Sequence, residues 1–187
     1  SVFSVDLGSQ WMKVAVVSPS TSMEIVLNRE SKRKTPVAVA FRNGDRVFGE
    51  DALALQAKTP ATSFAFFTPL LGETFDSPVV RNFSRDFPFY TVEEADPVSR
   101  AVLLRVSPSE AYSVEELTAM VLEEAAAQAT AFARLPRPAE NVVVTVPASM
   151  REAGRRALWR AVTLAGLKPL ALINDNTAAA LNLAVFR

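Results

Sequence analysis

Cysteine and histidine are both absent from the 187 residues. That excludes disulfides, thiolate nucleophiles, zinc sites of the usual Cys/His kind and every histidine-based triad. Any catalysis must then rest on carboxylates, hydroxyls, backbone amides and a divalent cation held by oxygen ligands. A net charge is missing as well. Twenty basic residues balance 20 acidic ones, whereas a nucleic-acid surface shows a basic excess. No uninterrupted apolar run approaches the roughly 20 residues that span a bilayer. SFAFFTPLL (63–71) and MVLEEAAAQATAFA (120–133) are too short or too interrupted. Neither nucleic acid nor a membrane is therefore expected as a partner. The start at Ser1, with no methionine or signal-like stretch, fits a processed or trimmed amino terminus.

What is present is a chain 49% apolar, enough for one compact domain or two small subdomains that share a core. Phe3–Leu7 and Lys13–Val17 read as strands joined by a turn at Gly8, with Ile25–Leu27 as a third strand of a meander. The basic stretch Arg29–Lys34 reads as a solvated loop. Val37–Phe41 and Val47–Phe48 flank Asn43-Gly44, a strong hairpin signal, and Glu50–Lys58 reads as a short helix. From Ala61 to Asp96 phenylalanine and proline abound and periodicity is poor, with strands expected at Pro88–Val92 and, beyond, at Val102–Val106. Residues 36–112 thus read as a smaller α+β insertion, in which Phe64, Phe66 and Phe67 are core.

Ser113 and Glu116 form a capping box that opens a helix to Leu135. Asn141–Val146 reads as a strand buried on both faces. A second capping box, Ser149 with Glu152, opens a helix that ends at Gly166. Pro169–Ile173 is the next buried strand, and Asn174–Val185 is helical. Strand, helix, strand, helix with short links implies a right-handed parallel crossover, hence an α/β fold.

Two strand ends carry an acidic, small-residue turn: Asp6-Leu7-Gly8-Ser9-Gln10 and Asn174-Asp175-Asn176-Thr177. Open α/β sheets bind ligands outside strand termini. Gly8 lets the backbone approach a phosphate, and Asp6 with Asp175 could organise Mg²⁺ through water. Equally, Asp6 could simply start a turn and Asp175 cap a helix. On the residues alone both readings stand.

FSVDLGSQWMKVAVV, RKTPVAVAF, VFGEDA, LLGETFDSPVV, NVVVTVPASMREAGRRAL and AGLKPLALINDNTAAAL occur in the order and spacing of the nucleotide-binding domain of the heat-shock protein 70 family. The chain resembles that family over nearly its whole length. VDLGS rather than the common DLGTT, MEIVLN before ESKRKTP, LINDNTA rather than INEPTA, and the closing VFR resemble its large hypoxia-up-regulated branch in the endoplasmic reticulum. The resemblance implies the actin-like ATPase (RNase H-like) fold, its first lobe only, with residues 1–35 and 113–187 as the larger subdomain and 36–112 as the inserted one.

It further implies a chaperone that binds ATP or ADP with Mg²⁺ and works with other heat-shock-70-type chaperones and unfolded clients. Gly8, Ser9, Gln10 and Trp11 fall where the family contacts phosphates. Asp6 falls on its Mg²⁺-organising carboxylate, and Asp175 replaces its usual glutamate. Pro147 and Arg155 fall on residues that relay nucleotide state between domains.

Two departures accompany this likeness. The family's catalytic lysine, four residues before the glycine of its LIG motif, is Thr68 here. A threonine places no cation beside a transferring phosphate, where charge stabilisation is the main catalytic contribution. The likeness also stops at Arg187, so a second lobe and a peptide-binding domain are expected to be missing. Half a nucleotide site follows, with weak ATP affinity and no turnover. A sugar-kinase-type relative and a non-catalytic interaction lobe are the alternatives. A two-metal nuclease would need about four clustered carboxylates, and only Asp6 and Asp175 are suitably placed. Asn82-Phe83-Ser84 is a glycosylation sequon.

Overall fold

Alternating apolar residues build the first hairpin. In the computed structural model, which describes residues 1–19 and 21–185, β1 (Val2–Leu7) runs antiparallel to β2 (Trp11–Ser18). Leu7 then faces Met12, and Asp6 faces Lys13. β3 (Thr21–Ile25) completes the meander and begins four residues before the expected Ile25, because Thr21 already pairs with Ser18. The expected Arg29–Lys34 loop is exposed, though Asn28, only 7% exposed, braces it by accepting from the Glu30 and Lys32 amides. A two-residue strand, β4 (Thr35–Pro36), sits against Trp11 and Met12.

β5 (Ala38–Arg42) and β6 (Asp45–Phe48) form the expected hairpin. Asn43 and Gly44 take φ of +54° and +85°, the paired positive values that a twist-matched two-residue turn requires. α1 (Gly49–Gln56) follows, and β7 (Ser63–Ala65), not foreseen, adds to the free edge of β5. The low-periodicity region also contains a helix the sequence reading lacked, α2 (Pro78–Asp86). Its signal was local: the Ser77 hydroxyl accepts from the Val80 amide, and Pro78 fills the first helical position. Val80 and Phe83 are its buried residues.

The next strand, β8 (Thr91–Glu94), starts three residues after the expected Pro88, since proline offers no ladder donor and the Tyr90 amide closes a turn onto Phe87. β9 (Val102–Ser107) and β10 (Glu110–Ser113) complete a second three-stranded sheet. α3 (Val114–Phe132) carries the expected capping box, both halves formed.

β11 (Asn141–Val146), α4 (Glu152–Leu164), β12 (Lys168–Asn174) and α5 (Asp175–Val185) follow. The principal sheet runs β12-β11-β1-β2-β3, with β12, β11 and β1 parallel. One hydrophobic cluster runs from Phe3 to Leu167, and Phe64 and Phe67 are fully buried in it, as expected. Burying such a ring is worth roughly 1.5–3 kcal/mol.

Three expectations need correction. β11 is not buried on both faces: Val142, Val144 and Val146 enter the core, while Asn141, Val143 and Thr145 stay half-exposed. β12 is the end strand of the sheet order, and Leu170 is 53% exposed. The second capping box does not form. Ala148 and Ser149 lie in a turn closed by the Met150 amide on Pro147, so α4 starts at Glu152 with Arg151 as an uncapped N-cap. Its far end does close as expected. Gly166 (φ +71°) donates to Thr163 and Leu167 to Val162, the paired bonds of a left-handed C-cap. No residue of α5 is buried, although its helical state was foreseen. Phe186 and Arg187, the end of the VFR motif, lie outside the described residues.

Candidate functional site

The β1–β2 turn is held by the Gly8 amide donating to the Trp11 carbonyl at 3.0 Å. A Cβ on Gly8 would stand 2.8 Å from that carbonyl oxygen, so glycine is what permits so tight a turn. Asp6 points from the end of β1 into solvent. Its Oδ1 accepts the Thr145 hydroxyl at 2.7 Å, which ties the β1 end to the β11 end. Thr145 was the one polar interruption of NVVVTV, and that interruption was the signal for its role.

Thr68 is 7% exposed and donates its hydroxyl to the Gly8 carbonyl at 3.3 Å. It braces the turn from below and offers no charge. Gly72 (φ +73°) and Gly154 allow a further close approach. A Cβ on Gly72 would meet the Ala153 carbonyl carbon at 2.4 Å, and one on Gly154 would meet the Leu71 oxygen at 3.1 Å. Gly72 served in the sequence only as the motif glycine that locates Thr68, and Gly154 was not singled out. Their pairing joins the first turn of α4 to the Leu71-Gly72 turn, and the Arg151–Glu73 ion pair at 2.8 Å closes the same seam.

These contacts enclose a cleft of about 360 Å³ lined by Gly8, Ser9, Thr68, Gly72, Thr145, Pro147 and Ser149, among others. Its walls combine glycines and hydroxyls with apolar side chains such as Leu71 and Met150, and the paired Glu73 and Arg151 also line it. Of the expected residues, Gly8, Ser9, Thr68 and Pro147 line it together, and Asp6 stands at its rim through Thr145. Gln10 is exposed, its carbonyl accepting the Val37 amide. Trp11 is half-buried with the Lys34 ammonium 4.2 Å from its ring centroid, a cation–π contact worth about 0.5–1 kcal/mol at an exposed site.

Asp175 is the first residue of α5, and its Oδ1 accepts the adjacent Asn176 amide at 2.7 Å. β11 lies between the strands that carry Asp6 and lead to Asp175. Two strand spacings, roughly 10 Å, separate β1 from β12, so the two carboxylates leave different strand ends. No cluster of three acidic groups fit to hold a metal occurs among the described residues. The donor set thus fits Mg²⁺ only as an ion that keeps its waters and takes ligand oxygens as well. Arg155 bridges the same edge, donating to the Met150 carbonyl at 3.0 Å and to Asn174 Oδ1 at 2.7 Å. Asn82 is exposed on α2, away from these residues in the chain.

Such an arrangement defines a mixed α/β protein with a concave cleft at the ends of its parallel strands, the place where open α/β sheets bind ligands. Comparison with known sequences takes the assignment further. The profile of the family described as Hsp70 protein matches residues 2–185, and the chain belongs to that family. Its whole length is 49% identical to hypoxia up-regulated protein 1 of Xenopus laevis, covering 28% of that protein. The Danio rerio protein of that name is 46% identical with 19% covered, and the Homo sapiens one is 44% identical with 18% covered. The chain spans less than a third of the length of these relatives. No helix among the described residues is long and apolar enough to cross a membrane.

Proposed function

We propose that this chain is the first lobe of the ATP-binding domain of an Hsp70-type chaperone or nucleotide-exchange partner acting in protein folding in the endoplasmic reticulum. On this reading the fold is the actin-like ATPase fold, with residues 1–35 and 113–187 as the larger subdomain and 36–112 inserted. Gly8, Ser9, Gln10 and Trp11 receive phosphates. Asp6 and Asp175 position Mg²⁺ through water, and Pro147 with Arg155 relays nucleotide state. Asn82 is a glycosylation candidate, and its exposure is compatible with that use.

The observation that carries the reading is the cleft itself. At about 360 Å³ it sits at the small end of the 300–1,000 Å³ typical of ligand pockets, with a glycine turn and hydroxyls suited to a phosphate chain and no aromatic residue in its lining to stack a base. A second lobe would supply the rest. Exposed apolar residues on α5 and the edge strand, Leu170 (53%), Leu181 (54%) and Val185 (70%), are what a face that packs against more protein would present.

Calorimetric titration with Mg-ATP tests it. Millimolar binding without hydrolysis is expected, and tight binding would overturn the half-site. The buried Thr68 hydroxyl favours a second reading, a lobe retained for protein interaction. In that case the chain captures Hsp70-type chaperones equally with and without nucleotide.

A further inference from the structure

Resting on the reading of the Gly8 turn as a phosphate site, the geometry points to Lys13 and Lys34 as the cations that serve it in place of the lysine absent at position 68. Thr68 is buried and its hydroxyl is already given to the Gly8 carbonyl, so no positive charge reaches the cleft from there. Arg151 lines the cleft but is paired with Glu73 at 2.8 Å, so a polyanion in the turn would need a further cation.

Strand register supplies two. Lys13 lies directly opposite Asp6 across the β1–β2 pair, so both side chains leave the same face of the sheet. Trp11, two residues earlier on β2, shares that face. β4 pairs Pro36 with Trp11, which brings Lys34 alongside, and its ammonium rests on the indole. The ring orients the stem of Lys34 without neutralising it, because a cation–π partner carries no charge of its own.

Both lysines are exposed, and among the described residues neither has a carboxylate within the 4.0 Å of an ion pair. Of their neighbours in the basic loop, Arg29 pairs with Glu124 and Lys32 with Glu50, while Arg33 is exposed and, among the described residues, carries no cation–π contact that would orient it toward the rim. Two ammonium groups outside any ion pair among the described residues thus lie on the sheet face where Asp6 stands, Lys13 opposite it in register and Lys34 over Trp11. A di- or triphosphate is the ligand chemistry that would use both, since each offers several charged oxygens to compact point cations.

The test titrates the chain with inorganic triphosphate and, separately, with ATP, following the Gly8 and Ser9 amide resonances. Lys13→Met and Lys34→Gln are each expected to weaken binding about fivefold, the loss of one charge-assisted contact in an open site. Combined, they should flatten its dependence on salt. Lys58→Met, on the loop after α1, leaves affinity unchanged. Equal affinity and salt dependence in the parent and the double variant would overturn the role of the two lysines and leave the phosphate reading standing. So would an equal loss in Lys58→Met. No response at Gly8 and Ser9 in the parent chain, with either ligand, overturns the phosphate reading and the lysines' part with it. A response to ATP but not to triphosphate also refutes the lysines, because it places recognition on the nucleoside.

Discussion

Gly72→Ala should damage both the fold and the cleft, and the structure says by how much. The new methyl would sit 2.4 Å from the Ala153 carbonyl carbon and 2.5 Å from the Ala153 oxygen and the Gly154 nitrogen. All three are backbone atoms of the first turn of α4, so no side chain can swing aside. Gly72 also has φ +73°, a left-handed conformation that costs an alanine about 1–2 kcal/mol. Overpacking adds about 1–3 kcal/mol.

The expected loss is therefore about 2–5 kcal/mol, read from urea unfolding. In a chain of this size that corresponds to a Tm lower by roughly 5–15 °C. Gly44→Ala is the control. It has φ +85° and nothing within 4 Å, so only the conformational cost applies. The difference between the two variants isolates the seam between α4 and the Leu71-Gly72 turn. If Gly72→Ala matched Gly44→Ala to within about 0.5 kcal/mol, the close approach would be refuted. Amide resonances of Leu71 and Gly154, both lining the cleft, should shift in the first variant alone.

The two serines proposed as caps make a paired test. Ser113→Ala should cost about 1 kcal/mol, because its hydroxyl accepts the Glu116 amide. Ser149→Ala should stay within about 0.5 kcal/mol of the parent, since it caps nothing. Tyr90 gives a pH test. Its hydroxyl donates to the Ser63 carbonyl at 2.8 Å and accepts from the Ala65 amide at 2.9 Å, and burial pushes its pKa from 10.0 up to about 12. The folded protein holds the phenolic proton more tightly than the unfolded chain does. This contribution is therefore complete below pH 10 and is lost as pH rises toward 12, about 2–3 kcal/mol in all. Tyr90→Phe should cost about 1–3 kcal/mol at neutral pH and remove that part of the alkaline loss, measured by unfolding at pH steps.

Much of the fold was legible because its causes are local. Asn43-Gly44 supplied a hairpin through backbone freedom alone, and Ser113 with Glu116 opened α3 from three residues apart. β11, α4 and α5 were recognisable from run length, periodicity and stops. α2 carried an equally local signal in Ser77-Pro78, but its nine residues are few for periodicity to stand out. β7 and β10 were missed for a different reason. Each is a short segment that becomes a strand only because β5 or β9 offers it an edge. Ser149 shows the converse, a correct local motif overruled by a turn that Pro147 and Met150 close first.

For the site, the sequence by itself determined the chemical inventory and its family: carboxylates, hydroxyls and glycines, no thiol or imidazole, and the motifs around Asp6, Gly72, Pro147 and Asp175. Those are properties of residue type and spacing along the chain. Tertiary structure alone decided which of them meet. Thr145 reaches Asp6 across 139 residues, and Thr68 reaches Gly8 across 60. The register of β1 on β2 turned Lys13 toward the face of Asp6. Such contacts follow from where whole strands and helices settle against one core, and no local pattern encodes a partner so distant in the chain.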